Sequence, residues 1–222
     1  VFDPKTCQNI LWDLDGTLTD PKEGIIGCIQ YALVKFGRIA PPTDDLLWCI
    51  GPPLVDSFTT LVPGASVDDA WTMTGFYRER FSTLGLFENQ IYPGIKELLG
   101  DLSKCHKLYL ATSKPHVFAK RILKHFKIGG FFTAIHGAEL DGTRSDKAEL
   151  IRFILTHERL RANESVMIGD RKHDIIGAKK NAMPAIGALW GYGGLEELQD
   201  SQADVICADV STLRQLIEYK CN

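Results

Sequence analysis

Five short apolar runs, each closing on small or polar residues, constrain the fold of this chain more than any other feature. They are Asn9 to Trp12, Leu108 to Ala111, Phe131 to Ile135, Val166 to Ile168 and Ala185 to Leu189. Continuous rather than alternating hydrophobicity marks strands covered on both faces, as in a parallel sheet. Between them lie amphipathic stretches at Pro93 to Ser103, His116 to Phe126, Asp146 to Glu158 and Asp174 to Asn181. Strand followed by helix, repeated, predicts an α/β fold with a doubly wound parallel sheet, whose chemistry gathers beyond the C-terminal strand ends.

One interval breaks the alternation. From about Glu23 to Asn89 the apolar residues fall at helical spacing, as in Ile25, Ile26, Ile29, Leu33 and Phe36, and no buried strand stands out. Gly51-Pro52-Pro53 punctuates the middle as a turn. The expected division is a core of residues 1–18 and 92–222 with an inserted helical module at 19–91. At 222 residues the chain has room for both.

Composition removes several function classes. Twenty-five basic against 28 acidic residues give a net charge of −3 with no basic block, so no nucleic-acid partner is expected. No apolar run approaches the roughly 20 residues of a membrane span, and Val1-Phe2-Asp3-Pro4-Lys5 lacks the basic-then-apolar plan of a signal peptide. The six cysteines are scattered without metal spacing, which favours free thiols and a cytoplasmic location. Nothing in the sequence fixes an oligomeric state.

The chemistry concentrates where predicted strands end. Asp13 and Asp15, in Trp12-Asp13-Leu14-Asp15-Gly16-Thr17-Leu18, are carboxylates two residues apart that reach one site if Gly16 lets the backbone curl. One could attack phosphorus and bind Mg²⁺ while the other protonates a leaving oxygen. Thr112 and Ser113, at the end of the second run, suit phosphate oxygens, or else cap a helix with Pro115 near its first position. Lys147, near a carboxylate nucleophile, would neutralise a phosphate oxygen, although a lone lysine in a first helical turn is usually solvated. Asp170 and Asp174, in Gly169-Asp170-Arg171-Lys172-His173-Asp174, offer oxygen ligands one helical turn apart, or simply decorate a helix N-terminus. The basic Arg171-Lys172-His173 cluster is expected to face solvent, or else to meet a second anionic group of the substrate. No G-x-G-x-x-G turn follows the first strand, which argues against a dinucleotide enzyme.

The order strand-DxDGT, strand-TS, Lys, strand-GDxxxD resembles the haloacid dehalogenase superfamily, and closely its phosphoglycolate-phosphatase-like branch. The resemblance runs from about Asn9 to Thr212 and includes Thr19-Asp20-Pro21, Gly51-Pro52-Pro53-Leu54, Tyr92-Pro93-Gly94 and Gly187 to Gly193. It implies a Rossmann-like core with a helical cap, and a Mg²⁺-dependent phosphatase acting through an aspartyl-phosphate. By that resemblance Asp13 is the nucleophile and Asp15 the general acid and later base. Mg²⁺ is held by Asp13, the Asp15 carbonyl and Asp170, with Asp174 in support. Thr112, Lys147, Ser113 and backbone donors from Leu14 to Gly16 bind the phosphoryl group.

The implied partner is a small phosphorylated metabolite. The expected substrate is 2-phosphoglycolate, with a 5′-nucleotidase as an alternative. A β-phosphoglucomutase-like mutase is a further one, disfavoured because such mutases more often carry Val in place of Thr17. A non-catalytic binding protein is the remaining one, and the intact acids oppose it. Lys22, Arg78 and Arg80 in the cap are candidate anchors for a second anionic group, or solvated helix faces.

Overall fold

The computed structural model describes residues 3–217. The chain divides into two compact units, one of Val1–Asp20 with Ile91–Asn222 and one of Pro21–Gln90. In chain order the elements begin with β1 (Asn9–Trp12), β2 (Thr19–Asp20), α1 (Lys22–Lys35), α2 (Leu54–Leu61), α3 (Val67–Arg80) and β3 (Gln90–Ile91). They continue with α4 (Ile95–Leu102), β4 (Lys107–Pro115), α5 (His116–His125), β5 (Ala134–Ala138), α6 (Lys147–His157), β6 (Ser165–Gly169) and α7 (Lys172–Lys180). The last are β7 (Ala185–Ala188), α8 (Leu195–Asp200), β8 (Val205–Cys207) and α9 (Val210–Ile217).

Six strands of the larger unit form one sheet in the order β5-β4-β1-β6-β7-β8, and every adjacent pair is parallel. β1 is central, with Leu11 aligned to Tyr109 on one side and Met167 on the other. All four of its residues are buried, which is why its sequence reads as an unbroken apolar run. From β1 the chain winds outward through β4 and β5, then crosses back to β6 and winds the other way. The order reverses between β1 and β6, so a crevice opens past their C-terminal ends. Asp13 and Asp170 are the first residues after those two strands.

One face of the sheet packs Leu11, Tyr109 and Met167 against Leu150, Ile151 and Ile154 of α6 and Ile175 and Ala178 of α7. α6 carries these residues at helical spacing and is capped by Asp146, whose side chain accepts the Glu149 N–H at 2.9 Å. This packing seats the N-termini of α6 and α7 at the crevice.

In the smaller unit, α1 buries Ile25, Ile26, Ile29 and Leu33 on one face. α3 starts at a capping box between Ser66 and Asp69. Arg80 forks onto Glu88 at 2.7 and 2.9 Å, and Lys22 lies 4.0 Å from Asp44. Arg78 instead sits 5.7 Å from the Trp71 ring centre and makes no ion pair among the described residues.

Several details differ from the sequence reading. The strand expected at Phe131 begins at Ala134, because Gly129–Phe131 makes a 3-10 turn first. β8 escaped notice because three residues are too short a run to register. Of the cysteines, Cys7, Cys28, Cys49 and Cys207 are free and buried. Cys105, which is exposed, is disulfide-bonded, against expectation. Cys221 lies outside the described residues. Among the described residues no helix is long and apolar enough to cross a membrane.

Ile151 is fully buried against β1, β4 and β6. Ile151→Ala is expected to destabilise the protein by about 2–5 kcal/mol, read from chemical denaturation midpoints.

Candidate active site

The loop after β1 curls because its backbone bonds close on themselves. Thr17, Leu18 and Thr19 all donate to the Leu14 carbonyl, at 3.3, 2.9 and 3.0 Å, and Gly16 N–H donates to the Thr19 carbonyl at 2.8 Å. Gly16 has φ +86°, and a Cβ there would sit 2.2 Å from Asp170 Oδ2. Both the turn and the close approach therefore require glycine. The Gly16 N–H, expected to cradle a phosphoryl oxygen, is committed to this closure, which is a correction. The Asp15 carbonyl accepts no hydrogen bond among the described residues.

Asp13, Asp170 and Asp174 each offer a carboxylate oxygen, and these atoms lie within 4.8 Å of one another. All three residues are buried, Asp170 completely. Lys147 comes in from the first turn of α6. Its ammonium lies 2.8 Å from Asp13 Oδ1, 2.7 Å from Asp174 Oδ1 and 2.8 Å from the Ala111 carbonyl. Its side chain is 4% exposed, so it is not the solvated surface lysine that its sequence position suggests. Asp174 also accepts the Arg171 N–H at 3.1 Å, closing the start of α7.

Asp170 has no ammonium against it. Its oxygens accept from the Thr17 hydroxyl at 3.1 Å and the Tyr192 N–H at 2.8 Å. The segment carrying Tyr192 is laced to the first loop, since Trp190 Nε1 donates to the Thr17 carbonyl at 3.0 Å. A Cβ on Gly193 would fall 1.9 Å from the Asp170 carbonyl. The Gly187 to Gly193 stretch thus works as the wall that fixes Asp170.

The Asp15 carboxylate stands apart from this group and is gripped by Lys114, at 2.8 Å to Oδ1 and 2.6 Å to Oδ2. Lys114 arrives through an irregularity of β4. Thr112 pairs with Gly137 and Pro115 with Ala138, so two extra residues of β4 loop out between consecutive partners. The Thr112 hydroxyl oxygen accepts the Lys114 N–H at 3.2 Å. β4 continues to Pro115, and no side chain caps α5. Neither Thr112 nor Ser113 is therefore the helix cap that the sequence also allowed. Thr112 is buried, and its hydroxyl proton has no acceptor among the described residues.

Burial dominates the electrostatics. It lifts Asp170 well above the ordinary carboxylate range, with Asp174 and Asp13 adding repulsion. Asp174 is pushed up to about 6 by burial, against the opposing pull of Lys147. Asp15 is raised by burial, partly countered by Lys114. Burial alone would depress Lys147, but the charges of Asp13 and Asp174 outweigh it and hold the ammonium charged.

The remaining sequence candidates are placed elsewhere. Arg171 is not solvated; its guanidinium is buried on Glu197, with Nε 2.9 Å from Oε1, because α8 brings that acid across α7. His116 pairs with Glu139 at 3.1 Å. Burial, aided by Arg171 and Lys172, holds the His173 imidazole below its usual range. The residues missed from sequence are Lys114, Thr17 as a partner of Asp170, and the Tyr192 N–H. Lys114 is the one that carried a signal, two residues beyond Thr112 in the same strand-end motif.

Comparison with known proteins agrees with this geometry. Residues 10–188 match the family described as haloacid dehalogenase-like hydrolase. A protein of Pseudomonas aeruginosa named 5′-nucleotidase is 48% identical over 95% of each chain. A phosphoglycolate phosphatase of Vibrio parahaemolyticus is 24% identical, over 94% of this chain and 95% of the other. The crystal structure of a predicted phosphatase from Clostridium acetobutylicum superposes with a TM-score of 0.91 at 40% identity, covering 94% of this chain and 97% of that one. With Asp13, Lys147, Asp170 and Asp174 gathered past the switch point of its sheet, the chain belongs to the haloacid dehalogenase-like hydrolases and is a phosphatase, a phosphoric monoester hydrolase.

Proposed function

We propose that this phosphatase uses Mg²⁺ and hydrolyses a small-metabolite phosphate monoester through a phosphoryl group carried on Asp13. The observation that carries the reading is the buried Asp13, Asp170 and Asp174 group with the Lys147 ammonium against Asp13. The donor set fits Mg²⁺. It is all oxygen, and three buried carboxylates face one ammonium, which leaves negative charge for a cation to neutralise. Asp13, Asp170 and the Asp15 carbonyl would hold the ion, with Asp174 in support. Bound there, Mg²⁺ would supply Lewis-acid stabilisation of charge on the phosphoryl oxygens.

The chain's own residues do the rest. An Asp13 oxygen attacks phosphorus, and the bond from phosphorus to the ester oxygen breaks. Asp15 gives its proton to that leaving oxygen. Thr112, with its unused hydroxyl proton, binds the transferring group alongside Lys147, Ser113 and the Leu14 N–H. Water then attacks the acyl phosphate and yields a proton to Asp15. Phosphate departs and the Asp13 carboxylate is restored. The helical unit Pro21–Gln90 is proposed as the cap, where substrate selection resides.

For substrate we favour a nucleoside 5′-monophosphate. The relative named 5′-nucleotidase shares 48% of residues, twice the share of the one named phosphoglycolate phosphatase. This reverses the order expected from sequence. Phosphate release from a panel with Mg²⁺, including nucleoside monophosphates, 2-phosphoglycolate and sugar phosphates, tests it directly. Nucleotides should be turned over best, and preference for 2-phosphoglycolate would overturn the choice of substrate.

Asp13→Asn nearly conserves shape and should lower turnover by about three orders of magnitude or more while thermal unfolding stays cooperative. Substantial residual hydrolysis would remove Asp13 as nucleophile. The metal reading has its own test. Asp170 and Asp174 have raised affinities for protons, so Mg²⁺ must displace protons to bind. Calorimetry in buffers of different ionisation enthalpy should show proton release on binding, with apparent Mg²⁺ affinity falling as pH drops through about 6. Affinity independent of pH would count against these carboxylates as ligands.

A further inference from the structure

We propose that Lys114 is a positioning residue that assigns Asp15 its task, holding this carboxylate out of the Asp13, Asp170 and Asp174 group and presenting it to the leaving oxygen. The inference rests on the proposed phosphatase mechanism and adds to it a residue that the motifs leave unassigned.

Asp15 stands two residues from Asp13, on a loop that bends back beside Asp170. A cation among the other three carboxylates would draw in any further carboxylate within reach, and an acid serving as ligand could not carry a proton to the substrate. Lys114 contacts both Asp15 oxygens, and the two side chains are 7% and 10% exposed. Its backbone is fixed on both sides, by Thr112 accepting its N–H and by Pro115 with α5 following. Lys114 is one of the two residues of β4 that loop out between Thr112 and Pro115.

Stability explains the pair poorly, because a buried ion pair gains little over apolar residues of the same volume. The two buried lysines of the site divide the acids between them. Lys147 serves Asp13 and Asp174, while Lys114 serves Asp15.

The test compares wild type, Lys114→Met and Lys114→Arg on two esters. An alkyl phosphate has a leaving oxygen that needs a proton, whereas p-nitrophenyl phosphate departs as a stable phenolate. Lys114→Met should lose about tenfold or more in kcat/KM on the alkyl ester, and clearly less on p-nitrophenyl phosphate. Lys114→Arg should recover much of the loss. Equal losses on both esters, or none, would overturn the proposal.

A second arm reads the metal by calorimetry. Mg²⁺ should bind Lys114→Met more tightly than wild type, and part of that gain should vanish in the double variant Asp15→Asn/Lys114→Met. A gain that persists in full means only that a positive charge was removed, and would overturn the restraining role. Wild type inactive on every ester would instead sink the phosphatase mechanism, leaving the calorimetric arm to decide Lys114 alone. If Lys114→Met fails to fold, Lys114→Arg and Lys114→Gln carry the same comparisons.

Discussion

The site depends on one buried ammonium. Lys147 is 4% exposed and lies within 2.8 Å of carboxylates from two different strand ends, Asp13 after β1 and Asp174 in α7. Removing one partner from a buried pair costs about 3–5 kcal/mol, so both carboxylates depend on Lys147. The ammonium is in turn held by the Ala111 carbonyl of β4. A single side chain from α6 thereby ties together the three central strands at their C-terminal ends. The packing of α6 on Leu11, Tyr109 and Met167 sets where that side chain arrives. Core packing and catalytic geometry are here the same constraint.

Asp170 is held by a different device. It receives a hydroxyl and an amide hydrogen but no ammonium, and backbone closes on it where Gly16 and Gly193 carry no Cβ. Its raised proton affinity follows from that enclosure. Such a carboxylate is destabilised as an anion by burial and by the neighbouring Asp174 and Asp13. The glycines therefore contribute to the electrostatics through the closeness they permit, beyond the turn they allow.

How much of this was legible in the sequence follows from the range of each interaction. β1, β6 and β7 were readable because central parallel strands are apolar on both faces, and Asp13 and Asp170 were readable as the first residues after them. Lys147 was readable only through its place in an ordered set of motifs, because its own neighbourhood resembles any first helical turn. Lys114 directly follows Thr112 and Ser113, yet apart from that position nothing local marks it. Its partner is 99 residues away, and its arrival depends on a strand irregularity that leaves no compositional trace. Arg171 was misjudged for the same reason, because Glu197 comes to it from α8, 26 residues further on. β8 failed on length, and Cys105 failed because a disulfide depends on two distant thiols being brought into bonding geometry, which spacing does not show.

The division into two units separates the acidic site from the helical module. Every residue gathered around Asp13 belongs to the unit of Val1–Asp20 and Ile91–Asn222. There Lys147 lies against Asp13 and Asp174, and Lys114 against Asp15. In the helical unit Arg80 and Lys22 face acids of their own, while Arg78 has an aromatic ring and, among the described residues, no carboxylate beside it. Burial depresses its proton affinity, the cost of enclosing a cation without a counter-charge. A half-buried guanidinium beside an indole ring can offer hydrogen bonds to an anion and a flat face to a ring.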